Sequence, residues 1–205
     1  LGSNPSAPAK KMEKLSKNIT LFNKIKKIFF PFYKSKDVKK LFYILEKNEK
    51  GIQKNNQVAM FVGGCVRNFL TNENIEDIDI ASIFSPEEIK EKFKNTEFKV
   101  IDTGIDHGSV TVVINSSKFE ITTLRKDTKT NGRHAEVSYI DSWQQDSQRR
   151  DFTINAIYMD RRGNIYDPEN GRHDLKKNKV RFIGESSLRI EEDYLRIIRF
   201  IRFSI

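Results

Sequence analysis

Asp77-Ile78-Asp79 sets two carboxylates two residues apart. On a strand they share a face, about 7 Å apart along the chain. Two carboxylates on one face suit a hard cation such as Mg²⁺, which takes oxygen ligands and prefers one or two carboxylates plus substrate phosphates. A solvated strand edge has the same pattern, so the chemistry depends on what stands beside it. The apolar run Val58–Val62 leads into Gly63-Gly64, and Cys65–Leu70 follows at once. Strand, tight turn and helix in that order let the backbone approach an anion and aim helix N–H groups at it. Arg67, one turn into that helix, can reach the same anion. A phosphate cradle one supersecondary unit from a metal-binding pair is the arrangement that nucleotidyl transfer requires.

The elements around these residues are legible. Val38, Leu41, Phe42 and Leu45 recur at helical spacing within Lys36–Lys47. Asp77–Ala81 alternates polar and apolar residues as a half-buried strand does. Ser85-Pro86-Glu87-Glu88 reads as a helix start, with Ser as N-cap, Pro at the first position and acids in the first turn. Phe98–Asp102, Ser109–Ile114 and Phe119–Leu124 read as strands, the last two forming a hairpin through Asn115-Ser116-Ser117. Glu120 then lies on a strand neighbouring the Asp pair, as a third, supporting carboxylate or as a cross-strand partner of a base. Lys126–Ala135 is polar, contains Asn131-Gly132 and predicts a mobile loop. Asp151–Met159 predicts a further strand, then a turn at Arg162-Gly163-Asn164 and Ile165–Tyr166. From Ser187 the spacing of Leu188, Leu195, Ile198 and Ile201 predicts one helix to the chain end. It has no stop signal, which implies an architecture that continues.

Composition narrows the partners. The 205 residues carry a formal net charge of +9, with 37% hydrophobic and 32% charged residues. The balance favours nucleic acid or nucleotides, although a Lys-rich surface alone produces the same number. One cysteine, Cys65, excludes an intramolecular disulfide framework. No apolar run approaches the roughly 18 residues that span a bilayer, so no membrane role is expected. His107, His134 and His173 have no zinc-ligand spacing. Leu1–Lys10 reads as a linker, with Met12 as a start. Met12–Lys40 is Lys-rich and nearly acid-free; a bacterial-type cytoplasmic protein is the first expectation and a mitochondrial one the second.

Phe61-Val62-Gly63-Gly64-Cys65-Val66-Arg67 followed by Asp77-Ile78-Asp79-Ile80 resembles the signature of polymerase-β-like nucleotidyltransferases. More narrowly it resembles class II tRNA CCA-adding enzymes and bacterial poly(A) polymerases. The likeness continues through Thr103-Gly104, His107–Val110, Glu120–Arg125, Gly132–Ala135, Arg149–Ala156 and Arg189–Phe200. It implies an α+β head, a mixed sheet flanked by helices, followed by the first helices of an all-α neck. The expected division is 1–35 linker and basic extension, 36–160 head, and 161–205 head-to-neck connection.

The resemblance also implies roles. Asp77 and Asp79 hold two Mg²⁺ ions, with Glu120 in support. Gly63, Gly64 and Arg67 serve the phosphates. Arg150, Asp151 and Asn155 contact the sugar and phosphates of the incoming nucleotide, although Asp151 equally suits a helix cap. Asp193 and Arg196, read as neighbours on one helix face, act as an amino-acid template for the Watson–Crick edges of cytosine and adenine; an ion pair is the plain alternative. Arg199 favours the triphosphate. Arg125 and Arg133 belong to a loop that helps switch from C to A addition. The implied activity adds C and A to the tRNA 3′ end from CTP and ATP, releasing pyrophosphate. Alternatives are a poly(A) polymerase, a CC- or A-only enzyme, or an impaired RNA-binding fragment needing a second polypeptide. Asn68 stands where the family usually has Asp, so an ion pair made by that Asp is expected to be missing.

Overall fold

The computed structural model describes residues 31–47, 57–131 and 134–205. Helix α1 (Lys36–Glu46) begins at Ser35, whose hydroxyl accepts from the Val38 amide at 3.3 Å. It buries Val38, Leu41, Phe42 and Leu45, the residues whose spacing predicts it, and Phe42 meets Phe61 at 5.0 Å between ring centroids. Strand β1 (Ala59–Val62) is buried along its length and leads through Gly63 into α2 (Gly64–Thr71). Strand β2 (Ile78–Ser82) precedes α3 (Pro86–Phe93), which starts on a full capping box between Ser85 and Glu88. Strands β3 (Lys99–Gly104), β4 (Ser109–Ile114) and β5 (Ser117–Thr123) follow as a meander. The β4–β5 turn is tight because Asn115 accepts φ 51°, a conformation that Asn tolerates better than most residues.

Short strands β8 (Tyr158–Met159) and β9 (Ile165–Tyr166) complete a seven-stranded sheet ordered β3-β4-β5-β2-β1-β8-β9. The β2–β5 pair is parallel, and its register sets Asp79 opposite Glu120. The sheet has two different faces. Ile78 and Ile80 turn to the main core with α1, α2 and α3. Ala81 turns the other way, into a smaller cluster with Met60, Val62, Leu124 and Tyr158. Strand alternation therefore puts Asp79 on that second face. Helix α4 (Trp143–Arg149) covers part of it, with Trp143 against Tyr158 at 5.6 Å. Helices α5 (Gly171–Lys176), α6 (Ser186–Glu192) and α7 (Leu195–Ser204) follow, so the expected α+β class, a mixed sheet flanked and then followed by helices, is the observed one.

Three local expectations need correction. Lys126–Ala135 is not a loop: β6 (Arg125–Asn131) and β7 (His134–Tyr139) pair as a separate antiparallel ribbon. Polar composition concealed it, since a two-stranded ribbon need not bury an apolar face. Arg133 lies outside the described residues. Asp151–Met159 is not one strand, because Thr153–Asn155 forms a 3₁₀ turn. Asp151 Oδ1 accepts from the Phe152 amide at 2.8 Å and Asn155 Nδ2 at 3.2 Å, and this local bonding displaces the extended ladder. The final helix is broken at Asp193, which is extended (φ −155°, ψ 105°) and whose Oδ1 accepts from the Leu195 amide at 3.0 Å. Asp193 lies between α6 and α7, whose N-cap is Tyr194, and does not share a helix face with Arg196.

Candidate active site

The carboxylate pair sits at the entrance of β2. Asp77 is exposed just before the strand, and Asp79 is half-buried within it. No hydrogen bond or ion pair reaches either carboxylate among the described residues. Burial, then Glu120, and more weakly Asp77 push the Asp79 carboxyl up to about 6, against the pull of Arg150. Like charges gathered with no ion-pair partner among the described residues are an electrostatic cost that a bound cation relieves. The fit is to a cation completed by its substrate: among the described residues, no three His, Cys, Asp or Glu side chains come close enough to cage an ion. Asp77 and Asp79 suit Mg²⁺, which binds through one or two carboxylates together with phosphate oxygens.

Gly63 brings the turn against this pair. Its φ of 73° and ψ of −134° are open to glycine, and a Cβ there would lie 3.6 Å from Asp79 Oδ2. Cys65 anchors the turn from below, its thiol donating to the carbonyls of Val62 at 3.3 Å and Asp79 at 3.5 Å. Burial pushes that thiol up to about 12, so it packs as a neutral group. Gly64, Arg67, Asp77 and Asp79 line one cleft of about 390 Å³, joined by Arg202 from α7. A larger groove of about 740 Å³ lies between α1 and α3, but it contains none of these groups. The smaller cleft has the chemistry: guanidinium groups and bare carboxylates in one lining.

Arg67 is fixed from several sides. It donates to Asn155 Oδ1 at 2.5 Å and, through Nε and Nη2, to Asn68 Oδ1 at 3.2 and 3.0 Å. Asn68 in turn donates to the Asn74 carbonyl at 2.6 Å. The neutral amide thus keeps a hydrogen-bonded hold on Arg67 without adding charge beside it. Asn155 continues to Asp151, whose Oδ2 pairs with Arg199 Nη2 at 2.6 Å. One chain of contacts therefore links α2, the 3₁₀ turn and α7. Arg67, Arg199 and Arg202 all lie over the Phe203 ring, at 4.6, 5.8 and 4.8 Å.

Arg150 is held apart from this chain, within a buried cluster around Asp146 and Tyr158. Burial alone would raise the Asp146 carboxyl, but Arg150, Arg149 and the Tyr158 hydroxyl bring it down to about 2. Arg125, at the base of the ribbon, donates its side chain to the His107 carbonyl. Arg196 Nη1 donates to Glu192 at 2.6 Å and to the Arg189 carbonyl at 2.8 Å. Arg189 also meets the carbonyls of Arg149 and Arg150, tying α6 to the end of α4.

The sequence reading missed Asp146, Tyr158, Arg189 and Arg202. Asp146 had a signal. Ser142-x-x-Gln145 opens a helix, and positions three and four beyond Asp146 are Arg149 and Arg150. Arg202 had none, since its approach to the cleft depends on how α7 crosses α2.

The profile of the Poly A polymerase head domain matches residues 59–181. The mitochondrial CCA tRNA nucleotidyltransferase 1 of Danio rerio is 46% identical over 152 residues, covering 74% of this chain and 35% of that protein. The CCA-adding enzyme of Listeria monocytogenes is 45% identical over 147 residues, covering 71% and 36%. Among solved structures, the Bacillus stearothermophilus CCA-adding enzyme in complex with CTP superposes with a TM-score of 0.63 at 41% identity, over 71% of this chain and 34% of that one. A tRNA nucleotidyltransferase complexed with a primer tRNA and an incoming ATP analog gives a TM-score of 0.58 at 29% identity, over 71% and 41%. The chain spans about a third of the length of the curated relatives it matches.

Proposed function

Because the chain belongs to the Poly A polymerase head domain family, we propose that it transfers a nucleotidyl group from a nucleoside triphosphate to an RNA 3′-hydroxyl, releasing pyrophosphate. Solved relatives in complex with CTP, and with a primer tRNA and an incoming ATP analog, favour CTP and ATP as donors and the tRNA 3′ end as acceptor. One observation carries the reading: a single cleft is lined both by Arg67 and Arg202 and by the carboxylates Asp77 and Asp79, which are unpaired among the described residues. Asp77 and Asp79 would hold Mg²⁺, which when bound neutralises the phosphates and makes the attacking hydroxyl more acidic.

The chain's own residues do the rest. The Gly63-Gly64 backbone admits the triphosphate close to α2, and the N–H groups there face it. Arg67 and Arg202 supply fixed positive charge for the phosphates, and Arg199 lies behind them on Asp151. Arg150 and Asn155 position the nucleotide against the carboxylates. Asp193 and Arg196 read the base. Asp193 keeps Oδ2 for an exocyclic amine while Oδ1 holds the Leu195 amide, and Arg196, anchored by Nη1 on Glu192 and the Arg189 carbonyl, offers its remaining N–H groups to ring nitrogens and carbonyl oxygens. Such polar matching discriminates sharply, because the wrong base leaves buried groups unpaired. Glu120 raises the negative charge beside Asp79 and strengthens the demand for a cation.

The relatives' greater length supports a second reading, in which this chain binds nucleotide and metal but relies on further polypeptide to hold the RNA. The test for both is incorporation of labelled CTP and ATP onto tRNA lacking its 3′ end, with UTP and GTP as controls. Incorporation of C then A by the 205 residues alone supports the first reading. Incorporation only when a second polypeptide is supplied supports the other. Uptake of all four nucleotides alike would overturn the base-reading role of Asp193 and Arg196. Relatives with mitochondrial and with bacterial names agree with either expected compartment.

A further inference from the structure

Asp146 lies inside α4 with its side chain fully buried. Oδ2 accepts from the Tyr158 hydroxyl at 2.7 Å and from Arg150 Nη2 and Nε at 3.0 and 3.2 Å. Oδ1 accepts from Arg149 Nε at 2.8 Å and from the main-chain amide of Arg125 at 3.3 Å. Arg125 is the first residue of ribbon strand β6. One carboxylate therefore holds the ribbon base with one oxygen and Arg150 with the other. The Tyr158 hydroxyl also accepts from Arg150 Nε at 3.1 Å, so two partners grip the same edge of the guanidinium. Arg150 Nη1 makes no hydrogen bond among the described residues, and the Arg150 charge reaches Asp79.

We infer that Asp146 is a positioning residue: it clamps one edge of the Arg150 guanidinium so that Nη1 faces the incoming nucleotide, and it joins that clamp to the base of the ribbon. The guanidinium is planar, so anchoring Nε and Nη2 fixes the direction of the third nitrogen. The ionised acid is needed for this, because an amide at the same place turns its NH₂ toward Arg150 on one side or toward Arg149 and the Arg125 amide on the other, groups that can only donate. The inference rests on the reading of Arg150 as a nucleotide contact. It also gives the ribbon a mechanical link to that contact, since the Arg125 amide and the Arg150 side chain share one rigid acceptor.

The test is CTP affinity of the 205-residue chain, measured by calorimetry with Mg²⁺ present, in a double-mutant cycle. Asp146→Asn and Arg150→Ala should each weaken CTP binding about tenfold, and the double variant should be no weaker than Arg150→Ala alone. Independent losses that multiply to about a hundredfold in the double variant would overturn the inference, as would unchanged affinity in Asp146→Asn beside a weakened Arg150→Ala. Unchanged affinity in Arg150→Ala would remove the nucleotide role of Arg150 itself, and the inference with it. If melting finds Asp146→Asn unfolded, Tyr158→Phe loosens the same edge more gently. It should cost about threefold in the parent and nothing in the Arg150→Ala background. Equal losses in both backgrounds would refute the clamp.

Discussion

Asp79 and Asp146 are both carboxylates drawn out of water beside Arg150, and they are treated in opposite ways. Asp146 is saturated with donors and its carboxyl falls to about 2. Asp79 accepts no hydrogen bond among the described residues, faces Glu120 and Asp77, and rises to about 6. A protein that buries an acid for architecture surrounds it with cations and hydroxyls, because an unpaired buried charge is costly. An acid kept for a ligand is left short of partners, and the cost persists until the ligand arrives. The difference separates the acid that shapes the site from the acid that serves it.

Replacing Asp77 and Asp79 together by Ala should abolish Mg²⁺-dependent incorporation, a loss of at least about a thousandfold, while folding is retained. Mn²⁺ uptake followed by electron paramagnetic resonance should vanish in the same variant. Persisting uptake would move the metal elsewhere. Asp146→Asn should act the other way, lowering stability by about 3–5 kcal/mol in urea unfolding, because Arg149 and Arg150 lose their shared buried partner.

The pH dependence should split between the two acids. The folded-state value of Asp79 lies above its ordinary 3.8, so between about pH 4 and 6 the folded protein takes the proton first. The contribution of Asp79 to stability therefore falls as pH rises through that window. Asp146 lies below its ordinary 3.8, so its contribution is present above that pH and is lost as pH falls toward 2. Melting curves of Asp79→Asn should lose the upper limb, with a gain on the order of 1 kcal/mol at neutral pH, and those of Asp146→Asn the lower limb. A parent whose stability rises steadily from pH 4 to 6, with no change in Asp79→Asn, would contradict the charge crowding. The smallest effect belongs to an exposed pair. Lys40→Ala removes the contact with Glu97, both about half exposed, and should change stability by about 0.5 kcal/mol or less.

Much of the sheet was legible because its strands alternate or run apolar between clear punctuation. Val58–Val62, Gly63-Gly64 and the capped start at Ser85 lie within a residue or so of the observed elements. The ribbon was hidden by its polarity. The broken final helix was hidden because Asp193 stops it through a side-chain bond to the Leu195 amide, with no Gly or Pro to mark the place. Helix α4 was missed although Ser142 caps it, its hydroxyl accepting from the Gln145 amide at 3.3 Å. Its buried face is polar and built on Asp146, so hydrophobic periodicity had nothing to report.

The residue pattern by itself determined the chemistry that is available. Two acids at strand spacing, a Gly-Gly turn before a helix and a set of arginines are local facts, and local facts survive in a linear string. The tertiary structure decided which charges remain without partners. Asp79 stands opposite Glu120 because β2 and β5 pair in parallel with that register, a contact 41 residues apart in sequence. Arg202 reaches the cleft, and Arg150 is turned by Asp146 and Tyr158, through packing between elements distant in the chain. Charge compensation depends on distances in space, and those are set only when the sheet closes and the helices dock on it.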